Sequence, residues 1–446
     1  MQTPAVREPI SLSDRIDELP LSGFHYRLVG VSGVGWMFDA MDVGLMSFVL
    51  PAIIKEWNLL PMEIGWASSM ALIGMLAGAV IAGFAADRYG RKRVFLSTLV
   101  LFSAATGLCG LSRSFHSLLA LRFLVGLGLG GELPVAASLV AEFSPKAHRG
   151  KLVCLLDSFW SLGWALAAAI AFLAVPKWGW RSVFFVGSIP ALYAVFLRRE
   201  VPESPRFLSS AGRPDEALRV VRSIEKLCGT PAVELTAAAG AARSPGFRAL
   251  WSGPMGRQSA MLWVLWFVLG YSYFGIYSWL PSLLVASGHT VVQSLRYTLI
   301  IALAQAPGFL SAAFLVDRWG RIATLTVYRV LLAAACFFFG YQAVSPAQIM
   351  FWGCLISFFG MGSWGVAYTY TTEIYPTALR TTGAGWATAM ARVGGILAPL
   401  AIGRIMAVSG SQKLVFWHMT AITLIGVVIV LILGRETRGT SLDAAL

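Results

Sequence analysis

The chain has 446 residues, of which 57% are hydrophobic and 13% charged, with a formal net charge of +13 and a mean hydropathy of +0.70. A soluble domain is nearer a quarter charged, so bulk composition excludes an ordinary soluble protein and indicates a membrane protein. The five cysteines are an odd number; Cys109, Cys154, Cys336 and Cys354 fall within apolar runs and Cys228 in a polar stretch, so neither a disulfide framework nor a metal site is expected.

The chain opens with a polar segment, 1–27. Its stretch SLSDRIDELPLSGFHYRL (11–28) reads as amphipathic and is expected to lie along the membrane surface. No apolar run precedes it, so no cleavable signal peptide is expected. A spanning helix needs about 20 apolar residues. On that measure twelve spans follow, at 28–54, 61–86, 93–112, 117–141, 150–174, 180–199, 258–286, 292–316, 322–341, 347–371, 381–405 and 414–433. They divide into an N-terminal bundle (28–199) and a C-terminal bundle (258–433). Between them lies a linker, 200–257, with a helical stretch PDEALRVVRSIEKL (214–227), and 434–446 forms a tail. The predicted fold class is all-α, with twelve transmembrane helices in two six-helix bundles.

Basic loops set the orientation. DRYGRKR, PKAHRGK and DRWGR follow spans 2, 4 and 8, whereas the opposite loops hold single charges such as Lys55, Arg113 and Lys177. Positive-inside reasoning places the basic loops, the linker and both termini in the cytoplasm, with the chain expected in the cell's inner (plasma) membrane. The net positive charge is then a topology signal, and no nucleic-acid partner is expected.

The two bundles are one unit written twice. DRYGR at 87–91 recurs as DRWGR at 317–321, an offset of 230; EFSPKAHR at 142–149 recurs as EIYPTALR at 373–380, an offset of 231. Such a parallel repeat places a pseudo-two-fold axis along the membrane normal and a central cavity between the halves. Gly90 and Gly320 permit a tight reversal in each loop. Asp87 can cap a helix or pair with Arg149, and Arg91 can reach Glu142. With Arg88, and with Asp317, Arg318, Arg321, Glu373 and Arg380 in the second half, these charges read either as topology anchors or as a charge-relay gate on the cytoplasmic side.

Ionisable residues inside the spans point to function, because an aspartate at the bilayer centre costs about 2.5–3.5 kcal/mol. Asp39 and Asp42 lie mid-span in GWMFDAMDVGLMSF (35–48), and Glu132 lies near the middle of 117–141. Residues three apart share a helix face, and burial with like charge raises a carboxyl pKa, as a proton carrier requires. These three acids are the candidate proton-coupling residues. Arg122 and Asp157 read equally as a structural ion pair or as coupling groups. Arg392, mid-span in 381–405, offers a planar fork for a carboxylate and is the candidate substrate anchor. Trp36, Phe159, Tyr271, Tyr273, Tyr277, Trp364 and Tyr368, with Gln305 as a rare intramembrane amide, are the candidate walls of a site for a flat, small acid. GLGLGG (126–131) follows no strand, so it reads as close helix packing rather than dinucleotide binding. No motif for ATP, metal or another cofactor is present, which leaves an ion gradient as the driving force.

GFAADRYGRKR (83–93) resembles the loop signature of the major facilitator superfamily. RFLVGLGLGGELP (122–134), EFSPKAHRG (142–150) and PESPRFL (202–208) are similar to its sugar-porter and metabolite–proton symporter branches. FDAMD resembles the first-span acids of aromatic acid–proton symporters, and SGFHYRLVGVSGVGWMFDAMDVGLMSFVLP resembles bacterial niacin transporters. LVDRWGRIA departs from the loop pattern at Leu315 and Ile322. The resemblance implies proton-coupled import of nicotinate or a related aromatic carboxylate by a monomer working through alternating access. Sugar or polyol symport, outward drug transport and a non-transporting sensor are the alternatives; no nucleophile–base set suggests an enzyme.

Overall fold

In the computed structural model, residues 10–145, 148–193, 202–210, 212–231, 235–236, 247–376 and 379–438 are described. The N-terminal half runs α1 (Leu12–Glu18), α2 (Gly23–Trp57), α3 (Pro61–Tyr89), α4 (Arg91–Cys109), α5 (Phe115–Phe143), α6 (Arg149–Trp178) and α7 (Trp180–Gly187). The linker contributes α8 (Pro205–Ser210) and α9 (Pro214–Cys228). The C-terminal half comprises α10 (Gly253–Ala286), α11 (Val291–Leu303), α12 (Gln305–Trp319), α13 (Arg321–Gln342), α14 (Pro346–Ile374), α15 (Arg380–Ser409) and α16 (Gln412–Leu433). Among the described residues, ten spans are long and apolar enough to cross a membrane. Long helices suit these sequences because a helix satisfies its own backbone polar groups where lipid offers none. Outward-facing side chains such as Phe84, Leu173, Leu310, Phe351 and Leu431 are large, apolar and exposed, the chemistry of a lipid-facing perimeter.

Helix boundaries follow local chemistry. α3 and α12 both stop at glycines with positive φ, Gly90 (101°) and Gly320 (90°), after which α4 and α13 start at once. A side chain there would be strained, so the repeated glycine fixes the same reversal in both halves. The eighth span, expected to be continuous, is split at Ala304 into α11 and α12. Pro307 lacks the N–H that would bond the Leu303 carbonyl, so the helical ladder is interrupted there. The sixth span is described only to residue 193, and its predicted end at 199 lies outside the described residues.

Close packing between helices uses backbone against backbone. A Cβ at Gly126 or Gly130 of α5 would collide with the carbonyls of Ala71 and Met75 on α3, and one at Gly270 of α10 with the carbonyl of Ala391 on α15. The two halves meet at the end of the bundle remote from the linker. There Ser69 donates to the Ile396 carbonyl across the halves (2.7 Å), and Gly65 and Gly403 lie against the carbonyls of Pro399 and Pro61.

The N-terminal segment differs from expectation. Leu12 and Ile16 of α1 are buried with Leu208, Ala217 and Val221 of the linker, and Arg15 pairs with the buried Glu225 at 2.6 Å. A two-residue parallel bridge, β1 (Ile10–Ser11) with β2 (Leu235–Thr236), adds to this packing. The apolar stripe expected to face lipid is thus covered by the linker, because α9 presents a matching apolar stripe to it. Residues 23–27, assigned to the polar segment, already belong to α2.

Candidate functional site

The middle of the molecule holds an aromatic cluster that spans both halves. From α6, Trp160 donates its indole N–H to the Tyr273 hydroxyl on α10 (2.9 Å), and Tyr273 in turn donates to Gln305 Oε1 at the start of α12 (3.4 Å). Tyr277, one turn along α10, donates to Ser357 on α14 (2.6 Å). The rings enclose a compact group: Tyr273 lies 4.6 Å from Tyr277, 5.7 Å from Trp364 and 5.8 Å from Trp164 between centroids, and Trp36 stands 4.8 Å from Trp160. Phe159 packs over Gly33, where a Cβ would sit 2.7 Å from the ring. The break before Gln305 places this buried amide beside the tyrosine hydroxyls, at the opening of a helix rather than along its side.

Acid and base flank the cluster from opposite halves. Asp157 on α6 lies beside the Trp36 indole and near Tyr273. Arg392 on α15 is partly exposed, with Tyr368 beside it. Among the described residues Arg392 has no carboxylate partner. Its position is fixed by its neighbours: Gly394 and Gly395 press α15 against the Phe267 carbonyl and the Phe274 ring of α10. Tyr368 also packs edge-on against Trp266 (4.7 Å), which is anchored by donating to Thr371 (2.9 Å). Arranged this way, the site offers flat rings and a guanidinium free to receive a planar anion in a two-pronged fork.

The sequence-predicted residues are sorted by tertiary contacts. Asp42 is fully buried and engaged: Arg122 Nη1 lies 2.9 Å from Oδ2, and Thr106 donates to Oδ1 at 2.6 Å. The two span-1 acids therefore differ, since Asp42 sits in a neutral pair whereas Asp39, three residues earlier, is completely buried outside that pair. Arg122 pairs with Asp42 and not with Asp157. Tyr271 faces away from the cluster, with its hydroxyl 2.7 Å from His418 Nε2 on α16. The side chains of Glu132, Asp87, Arg91 and Arg149 lie outside the described residues.

At the linker end, Arg321 makes a two-pronged pair with Glu373 (2.8 and 2.6 Å) and lies 3.4 Å from Asp317. Thr437 donates to Glu373 (2.6 Å), and Glu436 accepts from the Arg321 and Ile322 backbone N–H groups (2.9 and 3.0 Å), capping α13. Glu203 of the PESPR stretch accepts from the Lys92 N–H (3.1 Å) at the matching position of α4. Burial pushes the Glu436 carboxyl up, but four backbone N–H donors outweigh this and hold it below the usual carboxylate range. Glu142 and Arg380 are both engaged. Arg88 and Arg318 instead turn outward over Tyr89 and Phe314. The Arg321 network lies within one half.

Sequence reasoning passed over Trp164, Trp266, Thr106 and Arg329, all fully buried or nearly so. The signal for Arg329 was available, since it is a lone cation in the span 322–341.

Known proteins match this chain along its length. The Major Facilitator Superfamily profile matches residues 33–399 and 300–445. The niacin transporter NiaP of Acinetobacter baylyi is 47% identical over 98% of this chain and 99% of its own. A Bacillus subtilis NiaP, provisionally named a niacin/nicotinamide transporter, is 40% identical over 94% of this chain and 98% of its own. The partially occluded inward-open structure of the xylose transporter XylE from E. coli superposes with a TM-score of 0.75 at 18% identity, covering 94% of this chain and all of that one. Two repeated six-helix halves, the glycine-hinged loops and full-length similarity agree that this chain belongs to the Major Facilitator Superfamily.

Proposed function

We propose that the protein is a secondary transporter of nicotinate, driven by proton symport. The observation that carries this reading is Arg392, partly exposed beside the cross-half aromatic cluster and without a carboxylate partner among the described residues. A pyridine carboxylate matches both features, with its ring between the aromatic walls and its carboxylate on the guanidinium. Similarity to two niacin transporters along nearly the whole chain supports the same substrate.

Coupling is assigned to the acids of the N-terminal half. Protonation of Asp42 would neutralise the partner of Arg122 and release a buried cation, which requires the helices around it to move. Asp39 lies on the same face of α2, and Asp157 lies beside the site itself. One proton carried with one monoanion is electroneutral. The halves touch at the end remote from the linker, so the structure corresponds to a state closed there. With the linker and termini in the cytoplasm, that closed end is the outer one. A monomer contains every element this cycle uses.

Binding to purified protein in detergent tests the reading. Nicotinate should bind, nicotinamide should bind much more weakly, and Arg392→Ala should lose the preference. Equal binding of acid and amide would overturn the anionic anchor.

A further inference from the structure

A second arginine of the C-terminal half has a stranger setting than Arg392. Arg329 on α13 is 1% exposed. Its Nε and Nη2 have no hydrogen-bond partner, and Nη1 reaches only the Ser272 hydroxyl, at a long 3.4 Å. That hydroxyl already donates to the Val268 carbonyl (2.8 Å), so it can only accept from the guanidinium. The guanidinium lies over Gly426 of α16, where a Cβ would come 2.9 Å from Nη2. A cavity of about 10 Å³ adjoins it, lined by Ser272, Tyr273, Tyr277, Leu332 and Trp364 among others. That is room for a single small species, a water or a monatomic ion for which the flexible Leu332 side chain gives way slightly.

Among the described residues no carboxylate pairs with this cation. From residue 253 to residue 435 the only acids are Asp317 and Glu373, and both sit at the linker end with Arg321. Arg321 is about 12 Å from Arg329 along α13 at 1.5 Å per residue. Among the described residues, the titratable groups around Arg329 are the Tyr273 and Tyr277 hydroxyls and the Cys336 thiol. Of the buried acids described in the other half, Asp42 pairs with Arg122, Asp157 lies beside Trp36, and Asp39 is on α2 with its own interactions. An isolated buried charge is among the most costly features a fold can hold, and a guanidinium does not escape by losing its proton. A water molecule would accept hydrogen bonds from it but leave the charge.

We propose that Arg329, with the cavity under Tyr273, Tyr277 and Trp364, is a binding site for a small inorganic monovalent anion of chloride size, distinct from the substrate anchor at Arg392. The anion neutralises the Arg329 guanidinium where α10, α13, α14 and α16 enclose it. It also lies behind Tyr273, the residue that bridges the two halves.

The test uses the full chain purified in detergent without substrate, at constant ionic strength, with chloride or bromide replacing gluconate. The melting temperature should rise saturably with halide, by on the order of a few degrees, and Arg329→Met should abolish the rise. An equal rise in the variant, or none in either protein, would overturn the site. Because Arg329→Met risks failing to fold, crystals of the unaltered protein soaked in bromide supply an independent measurement. An anomalous peak beside the Arg329 guanidinium supports the proposal, and its absence refutes it. Displacement of that bromide by nicotinate would assign Arg329 to the substrate carboxylate and overturn the separate site.

Discussion

The buried Asp42–Arg122 pair gives the sharpest test of how the N-terminal half works. Asp42→Asn keeps an acceptor for the Thr106 hydroxyl but removes the charge 2.9 Å from Arg122 Nη1, leaving a cation that is 1% exposed. Two unit charges about 4 Å apart interact by roughly 4 kcal/mol at an effective dielectric of 20. Breaking one partner of a buried pair typically costs about 3–5 kcal/mol, whereas replacing both with apolar groups is close to neutral. Asp42→Asn should therefore destabilise by about that amount, and Asp42→Leu with Arg122→Met should recover most of it. Thermal unfolding of the single and double variants in detergent measures the coupling, and proteoliposome assays separate the roles. Under an imposed proton gradient, Asp42→Asn should lose accumulation while retaining nicotinate exchange across the membrane. If the double variant still accumulated nicotinate at the normal level, the pair would be a structural tie and the coupling assignment would fall.

Other consequences are more local. Arg392→Lys keeps the charge but loses the planar fork; with a charge-assisted bond worth about 1.5–3 kcal/mol, nicotinate affinity measured by calorimetry should drop about tenfold to a hundredfold. Trp160→Phe deletes the indole N–H that bridges to Tyr273 across the halves. It should shift the population away from the state closed at the far end, read by distance measurements between spin labels on α3 and α15. Gly270→Leu forces a side chain into the Ala391 carbonyl and should prevent the α10–α15 contact that positions Arg392, seen as loss of monodisperse protein. The Glu436 cap is held ionised by backbone donors, so its contribution is fully present above the ordinary carboxylate pKa and is lost as pH falls through its lowered value. Glu436→Gln should accordingly lower the melting temperature at neutral pH, and the difference from the unaltered protein should vanish in acid.

Much of the architecture was decided by the sequence alone, because lipid imposes one requirement on every span. About 20 apolar residues must close their own backbone hydrogen bonds, so span number and approximate limits follow from hydropathy, and repeated DRYGR and DRWGR loops reveal the duplicated half. Arg392 also stood out, since a lone guanidinium at mid-depth has no cheap explanation. What the sequence withheld is which face of each helix points where, since a membrane helix is apolar nearly all round and its periodicity carries little direction. Part was recoverable: at 100° per residue Tyr271 lies 200° from Tyr273, whereas Tyr277 lies only 40° from it, and the structure sends Tyr271 to His418 and the other two to the central cluster. The rest depends on partners distant in the chain. Asp42 finds Arg122 eighty residues on, Leu12 and Ile16 find the linker helix instead of lipid, and Pro307 turns Gln305 into the first residue of a new helix. Only tertiary packing distinguishes Arg329, sealed among four helices without a counter-charge from its own half, from the partly exposed Arg392. Charge neutrality inside a low-dielectric bundle is a property of the whole assembly, and no single span encodes it.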